Sequence, residues 1–301
     1  MLFTALRHSL KSLTGKADLH IHSDWSDGSL SIPAIVKTAK ILGLAAVSIT
    51  DHDTTAGWDE AGAEGERQGL KIIPGIEVSA FDPGTGRKVH ILGYGMKDRE
   101  TVETACRPCL EDRRRANWEA LFLIQAAGYP LDEEDLLSCL GKSGVPYRQH
   151  IMHALADRGY AGAIYGPLYG KLFGPGGAAV VKSRYMPAEE AVRLITDCGG
   201  EAALAHPFQY DSMGLLPRLT ACGLSGIECW HHTQTPEREA MVREAAEQYG
   251  LFLTGGSDFH GLYSEKPVPL GTHFLRLPVS EFSEKPGPCL STLNGNHAFL
   301  L

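Results

Sequence analysis

The chain has 301 residues, enough for one large core of the α/β-barrel size (~250 residues) plus an insertion. Apolar residues make up 43% and charged residues 21%, an ordinary globular balance, and the net charge of −8 argues against coating duplex nucleic acid or another polyanion. No stretch reaches the ~18 apolar residues of a membrane span, residues 1–13 lack the continuous apolar segment of a secretory signal, and the seven cysteines show no paired C-x-x-C repeats, so a reduced cytoplasmic setting without membrane contact is the expectation.

Residues 1–16 read as an N-terminal extension, at most a loosely docked amphipathic turn or two. From Ala17 the pattern alternates. Ala17–His22 reads as a strand, and Ile32–Leu42 as a helix opened by Ser31 and Pro33 and closed by Gly43. Leu44–Thr50 is an apolar strand, Thr55–Gln68 a helix, and Lys71–Ser79 and Val89–Tyr94 two further strands. Near-continuous apolar strands separated by helices of ordinary length predict parallel βαβ units. The rhythm breaks over 98–183, where Glu103–Gly128, Glu133–Ser138, Gln149–Asp157 and Ala161–Phe173 all read as helices before the Gly174-Pro175-Gly176-Gly177 loop. This stretch is expected to be a helical cap inserted in a discontinuous barrel of residues 17–97 and 184–280. Alternation then resumes with helix Ala188–Cys198, strand Glu201–Ala205, helix Gly214–Cys222, strand Gly226–Cys229, helix Glu237–Tyr249 and strand Leu251–Gly256. Residues 281–301 form a polar tail without a pattern.

The chemistry sits where these strands end. His20 and His22 are two apart and therefore leave one strand on the same side. Ser26-Asp27-Gly28 follows them, Asp51-His52-Asp53 follows Leu44–Thr50, and Glu77 and His90 sit on the next two strands. His206-Pro207 follows Glu201–Ala205, and Ser257-Asp258-Phe259-His260 closes the last strand. In a parallel α/β sheet those ends converge on one rim. Imidazole and carboxylate donors without thiolates suit Zn, Mn or Fe, and a carboxylate such as Glu77 can bridge two cations. Asp18 reads as an outer partner that orients a ligand histidine, and Asp53 as a cap for the following helix, with Thr54 and Thr55 as alternatives. His231 and His232 reach the same rim outside the ligand set. Arg113-Arg114-Arg115 reads as a solvated helix face, with weak contact to a nucleic-acid backbone as the alternative.

On His20-x-His22, Ser26-Asp27-Gly28, Thr50-Asp51-His52-Asp53, Gly75-Ile76-Glu77, Val89-His90, Ala205-His206-Pro207 and Gly256-Ser257-Asp258-x-His260, the chain resembles the polymerase and histidinol phosphatase (PHP) superfamily of metal-dependent phosphoesterases. The resemblance covers about residues 17–260. It implies a distorted (β/α)7 barrel with three divalent ions, Mn, Fe or Zn. Carried over position by position, His20, His22, Glu77 and Asp258 would hold the first ion. Glu77, His90 and His206 would hold the second, and Asp27, His52 and His260 the third. Asp27 stands where many histidinol phosphatases have a histidine, which turns the reading away from that activity.

Val145-Pro146-Tyr147-Arg148-Gln149-His150 resembles a segment of the subgroup acting on nucleoside 3′,5′-bisphosphates and on short RNA 5′ ends. Arg148 and His150, with Lys171 and Arg184 from the following loop, are the expected substrate-binding residues. Arg suits a forked grip on phosphate. The expected reaction is hydrolysis of the 3′-phosphate ester of a nucleoside 3′,5′-bisphosphate by metal-activated water, with 5′-to-3′ exoribonuclease activity on short 5′-phosphorylated RNA as the alternative. A catalytically silent barrel is the third reading. His206 and His232 are the nameable general acids, and if His206 is a ligand the role falls to His232 or to metal-bound water.

Overall fold

The computed structural model describes residues 5–10, 12–142 and 144–278; the tail expected over 281–301, with His297, lies outside them. In chain order the first elements are α1 (Ala5–Leu10), β1 (Gly15–Ile21), α2 (Ile32–Ile41), β2 (Ala46–Ile49), α3 (Trp58–Gln68), β3 (Lys71–Ile72), β4 (Gly75–Phe81) and β5 (Lys88–Tyr94). The helices α4 (Arg99–Ala126), α5 (Glu133–Cys139), α6 (Arg148–Asp157) and α7 (Pro167–Phe173) follow. The chain then continues with β6 (Met186–Pro187), α8 (Ala188–Asp197), β7 (Glu201–Leu204), α9 (Leu216–Ala221), β8 (Gly226–Trp230), α10 (Pro236–Tyr249), β9 (Phe252–Gly255) and β10 (Leu275–Leu277).

The strands form two sheets, ordered β10-β1-β2-β3 and β6-β4-β5-β7-β8-β9. Isolated parallel bridges join them at both seams, Ile21 to Phe259 and His52 to Glu77. Followed through the bridges, the strands run β1, β2, β4, β5, β7, β8, β9 and back to β1. Each seam is a bridge rather than a full ladder, so the ring of this α/β fold is distorted.

Two strand expectations are corrected. Lys71–Ser79 is not one strand: it breaks into β3 and β4 around Pro74, which lacks the N–H a ladder needs. The parallel pattern also fails at β5, which runs antiparallel to both β4 and β7. Only the short turn Asp82–Arg87 separates β4 from β5, closed by Asp82 accepting from the Gly84 amide and the Thr85 hydroxyl, too little chain for a helical crossover. The reversal has a functional consequence. His90 lies near the start of β5, and the start of an antiparallel strand shares a rim with the ends of its neighbours.

Alternation along the strands sorts the side chains. Ile76, Val78, Ala80, Val89, Ile91, Ile227 and Cys229 pack in one cluster with residues of α8, α9 and α10. The intervening Glu77, Ser79, His90 and Glu228 therefore face the interior of the ring. Ile21, Val47 and Ile49 pack against α2 and α3 in the same way. α4 begins in the main core through Val102 and Cys106 and ends in a separate cluster in which Leu121 and Ile124 meet Leu136, Ile151, Leu155 and Phe173 from α5, α6 and α7.

The N-terminal residues are not loosely docked. Leu6 and Leu10, each 1% exposed, join Ala17, Leu19, Ala46, Tyr94 and Phe252 in one cluster. Those partners lie toward the starts of parallel strands and the end of antiparallel β5, so α1 closes the ring at the rim opposite the histidines. Leu10→Ala is expected to cost about 2–5 kcal/mol of stability through cavity formation. Urea unfolding checks this, with the specific activity of the folded fraction unchanged.

Candidate metal centre

Each donor is set by local backbone chemistry. His20 and His22 end β1, where Asp258 donates its amide to the His20 carbonyl at 2.8 Å and His22 donates to the Phe259 carbonyl at 2.9 Å. That crossing is close: a Cβ on Gly256 would stand 2.3 Å from the His20 nitrogen, so only glycine fits. Asp51 accepts from the Ser23 amide and hydroxyl and the Ser26 hydroxyl at 2.8, 2.6 and 2.5 Å, and thereby shapes the turn carrying Asp27. Asp258 (φ 52°) and His206 (φ 22°) sit in backbone conformations that L-residues seldom adopt, a form of strain that clusters at functional sites.

The result is one carboxylate ringed by imidazoles. Around Glu77 stand His20 Nε2 at 3.4 Å, His22 Nε2 at 3.2 Å, His52 Nδ1 at 3.2 Å, and His90 Nδ1 and His206 Nε2 at 2.9 Å. Asp258 Oδ1 approaches His20 and His22 at 3.3 and 3.2 Å. Asp27 lies 3.3 Å from His260, 3.5 Å from His22 and 3.8 Å from His52. Donor atoms of His20, His22, Glu77 and Asp258 fall within 4.8 Å of one another, as do those of His22, Asp27, His52 and His260, and those of His52, Glu77 and His90.

A carboxylate has about four lone-pair sites, too few for well-formed hydrogen bonds with every imidazole around it. Consistent with that, His20 Nε2, both ring nitrogens of His22, Asp27 Oδ1 and His206 Nδ1 are buried without a hydrogen-bond partner. Burial alone would push the Glu77 carboxyl up, yet His90, His20 and His52 hold it well below its usual range. Burial is overcome likewise at Asp258 by His20 and His260, and at Asp27 by His260 and His52. Burial opposes charge on His20, but Glu228, Asp258 and Glu77 push it well up; against the same burial, the neighbouring Asp258, Glu77 and Asp27 carboxylates push His22 up to about 10. The cluster therefore draws positive charge into a buried space, and the donor set fits hard or borderline divalent cations.

Supporting residues differ from the sequence reading. Asp18 acts on backbone rather than on a histidine ring: it accepts from the His20 amide at 3.4 Å, from the Ser257 amide and hydroxyl and from the Gly271 amide, steadying His20 and clamping the turn that carries Asp258. The ring of His20 is instead held by Glu228, whose Oε1 is 3.0 Å from His20 Nδ1 while its Oε2 accepts from the His206 amide at 2.8 Å. Sequence reasoning missed Glu228, although a carboxylate in the apolar run Gly226–Cys229 was the available signal. Asp53 (φ 59°) caps no helix: α3 is preceded by Gly57 without a side-chain cap, and Asp53 accepts from the Ser79 amide at 2.7 Å and from Arg113 at 2.6 Å. Arg113 is thus buried rather than solvated, and it also donates to Ser79 Oγ at 2.8 Å. His231 is buried, 3.3 Å from Asp258 Oδ2.

A cavity of about 260 Å³ opens over the cluster, lined by Glu77, His90 and Asp258 on one side and by Lys88, Arg113 and Arg148 among others. Lys88 is depressed to about 8 by desolvation in the pocket and by Arg148 and Arg113, although its side chain still reaches solvent. Tyr165, Tyr169 and Phe173 form another wall, with successive ring centroids 4.9 and 5.4 Å apart. Arg148 lies 5.3 Å from the Phe173 ring.

The other expected substrate residues stand elsewhere. His150 is buried beneath the start of α6, its Nδ1 accepting from the Tyr147 amide at 3.1 Å. Lys171 donates to Tyr129 Oη at 3.1 Å, and the Arg184 amide donates to Asp112 at 2.6 Å in a separate surface groove. Of the two expected proton donors, His206 sits within the Glu77 cluster. His232 lines the cavity, but burial and neighbouring His231 depress it to about 4, so near neutral pH it is uncharged and suited to accepting a hydrogen bond.

Comparison with known proteins agrees with this geometry. The PHP domain family matches residues 18–203. The chain belongs to the PHP family. A phosphoribosyl 1,2-cyclic phosphate 1,2-diphosphodiesterase from Eggerthella lenta is 43% identical over 252 residues, covering 83% of this chain and 96% of that protein. A 3′,5′-nucleoside bisphosphate phosphatase from Chromobacterium violaceum is 32% identical over 251 residues, 81% of this chain and 86% of its own. A 5′-3′ exoribonuclease from Haemophilus influenzae is 30% identical over 266 residues, 82% and 91% of the respective chains. In structure, a Bifidobacterium adolescentis protein assigned as a metal-dependent phosphoesterase superposes with a TM-score of 0.79 at 29% identity, covering 86% of this chain and 92% of that one. This PHP protein is a metal-dependent phosphoric ester hydrolase. No described helix is long and apolar enough to cross a membrane.

Proposed function

We propose that the enzyme hydrolyses a phosphate ester on a ribose that carries a second phosphate, with phosphoribosyl 1,2-cyclic phosphate as the leading substrate. The observation that carries the reading is the Lys88, Arg113 and Arg148 group, set in the same cavity as the histidine cluster. One anionic group can lie over the cluster while another is gripped by these cations. The sequence alone favoured a nucleoside 3′,5′-bisphosphate; the 43% identity over nearly the whole Eggerthella lenta enzyme supports taking the cyclic ester first.

In this reading His20, His22, Glu77 and Asp258 would hold one divalent ion, Glu77, His90 and His206 a second, and Asp27, His52 and His260 a third, with Mn, Fe or Zn as the candidates. Bound cations supply a nucleophilic water of near-neutral pKa and polarise the phosphoryl oxygens. The protein does the rest. Arg113 is pre-organised by Asp53 and Ser79, so its guanidinium reaches the substrate phosphate with little reordering. Arg148, whose guanidinium lies over the Phe173 ring, completes a forked grip, and the helices between β5 and β6 form a cap that limits water around the ester. Burial keeps His52 below its usual range, and burial with nearby His206 and Lys88 does the same for His90, which leaves both as neutral donors.

The aromatic wall of Tyr165, Tyr169 and Phe173 favours a second reading, because a nucleobase could stack there. The two separate in one experiment. Phosphoribosyl 1,2-cyclic phosphate, its analogue without the 5-phosphate, adenosine 3′,5′-bisphosphate and a 5′-phosphorylated RNA trinucleotide are compared, with free phosphate, ribose 5-phosphate and mononucleotides quantified. The cyclic ester should be opened by one water to a phosphomonoester and cleaved by a second to ribose 5-phosphate and phosphate, at the highest kcat/KM. Preference for the bisphosphate would move the assignment to the nucleoside substrate, and release of mononucleotides from the trinucleotide to the exoribonuclease.

Arg148→Ala is expected to raise KM for the phosphorylated ribose by roughly 10- to 100-fold, the loss of a charged hydrogen bond of about 1.5–3 kcal/mol. The analogue without the 5-phosphate should be little affected, and metal content unchanged. An unaltered KM for the full substrate would remove Arg148 from the phosphate grip.

A further inference from the structure

A second group of metal-ligating side chains stands outside the cavity, where α5 meets α6. Cys139 ends α5, and His153 and Asp157 are four residues apart on α6, hence on one face of that helix. Their donor atoms all lie within 4.8 Å of one another, with His153 Nε2 3.7 Å from Asp157 Oδ1. The other ring nitrogen, Nδ1, is 2.8 Å from Tyr263 Oη. When Nδ1–H donates to Tyr263, the Nε2 lone pair, 3.7 Å from Asp157 Oδ1, is left to take a cation. An outer partner on the far nitrogen is how metal-binding histidines are commonly fixed.

We propose that Cys139, His153 and Asp157 form an auxiliary site for a borderline-soft divalent cation of the zinc class, separate from the catalytic cluster. Thiolate, imidazole and carboxylate are the zinc donors, and three protein ligands leave a fourth position for water. The charges close: the thiol gives up one proton on binding, and one thiolate with one carboxylate balances the dication. The position is reachable, since Asp157 is 66% exposed and His153 35% exposed. A cation here would pin the end of α5 to α6. It would also stiffen the contact with Tyr263, which lies in the short helical turn Gly261–Tyr263 immediately after His260.

The test uses cobalt(II) as the probe on the full chain. None of the donor groups placed around Glu77 contains a cysteine, so thiolate-to-cobalt charge-transfer absorption does not arise from that cluster. Wild-type protein titrated with cobalt should develop this absorption, zinc should abolish it by competition, and Cys139→Ser should lack it while retaining phosphoesterase activity. Asp157→Asn should need at least ~10-fold more cobalt for half-saturation, about 1.4 kcal/mol. Absence of the thiolate band in wild type, or its persistence in Cys139→Ser, overturns the site.

Discussion

Glu77→Gln is expected to lower kcat by about 10³-fold or more and to reduce the bound metal. Glu77 is 1% exposed and faces five imidazoles from four separate chain segments, so it is the group through which the cluster is joined. The substitution keeps the shape and removes the charge. An amide offers one oxygen and no anion, and it cannot bridge two cations as a carboxylate does. Stabilisation of phosphoryl charge by a held cation is worth several kcal/mol, and each 1.36 kcal/mol is a factor of ten in rate. Metal analysis beside single-turnover kinetics checks this, with circular dichroism to confirm the fold. Full metal content with normal kcat would show that Glu77 is not the bridge.

Glu228→Gln should act differently, because Glu228 reaches the cluster only through other residues. One oxygen fixes the His20 ring and the other the His206 amide, so this carboxylate sets two donors of different cation positions at once. The side chain is fully buried, and His20 is among the groups that hold it below its usual range against burial. Gln can keep the bond to the His206 amide, but its second terminal group donates where His20 Nδ1–H also donates. Removing such an outer partner typically weakens metal affinity about 10- to 100-fold. The expected signature is a higher metal concentration for half-maximal activity, with kcat largely restored at saturating metal. A kcat loss that excess metal leaves in place would mean that Glu228 takes part in the chemistry itself.

The donor residues were legible because their signal is local. His20-x-His22 places two donors by strand geometry, and the end of an apolar strand is easy to recognise. Asp258-x-His260 reads as the same device, but β9 ends at Gly255 and Asp258 (φ 52°) is placed by the turn that follows it. What the sequence hid depends on tertiary pairing. Nothing in Val89–Tyr94 says that this strand runs backwards, since alternation is the same in both directions; only its pairing with β4 and β7 reveals it. The Arg113 run resembled a solvated face because three cations in a row normally are one. Yet Cys109, Arg113, Ala116 and Ala120 lie on a buried stripe at helical spacing, and that stripe placed Arg113 against Asp53. Lys171 and Arg184 match the subgroup's Lys-rich loop only loosely, and neither lines the cavity: Lys171 donates to Tyr129 and Arg184 lies on a separate groove. β6 and β10 are too short to announce themselves, at two and three residues.

The most direct test of the central claim is activity on phosphoribosyl 1,2-cyclic phosphate after chelation and stepwise return of Mn²⁺, with bound metal measured at each step. Chelated protein should remain folded and inactive, and activity should return as the sites around Glu77 fill, releasing ribose 5-phosphate and phosphate. Hydrolysis at the full rate by protein without bound metal would contradict the account.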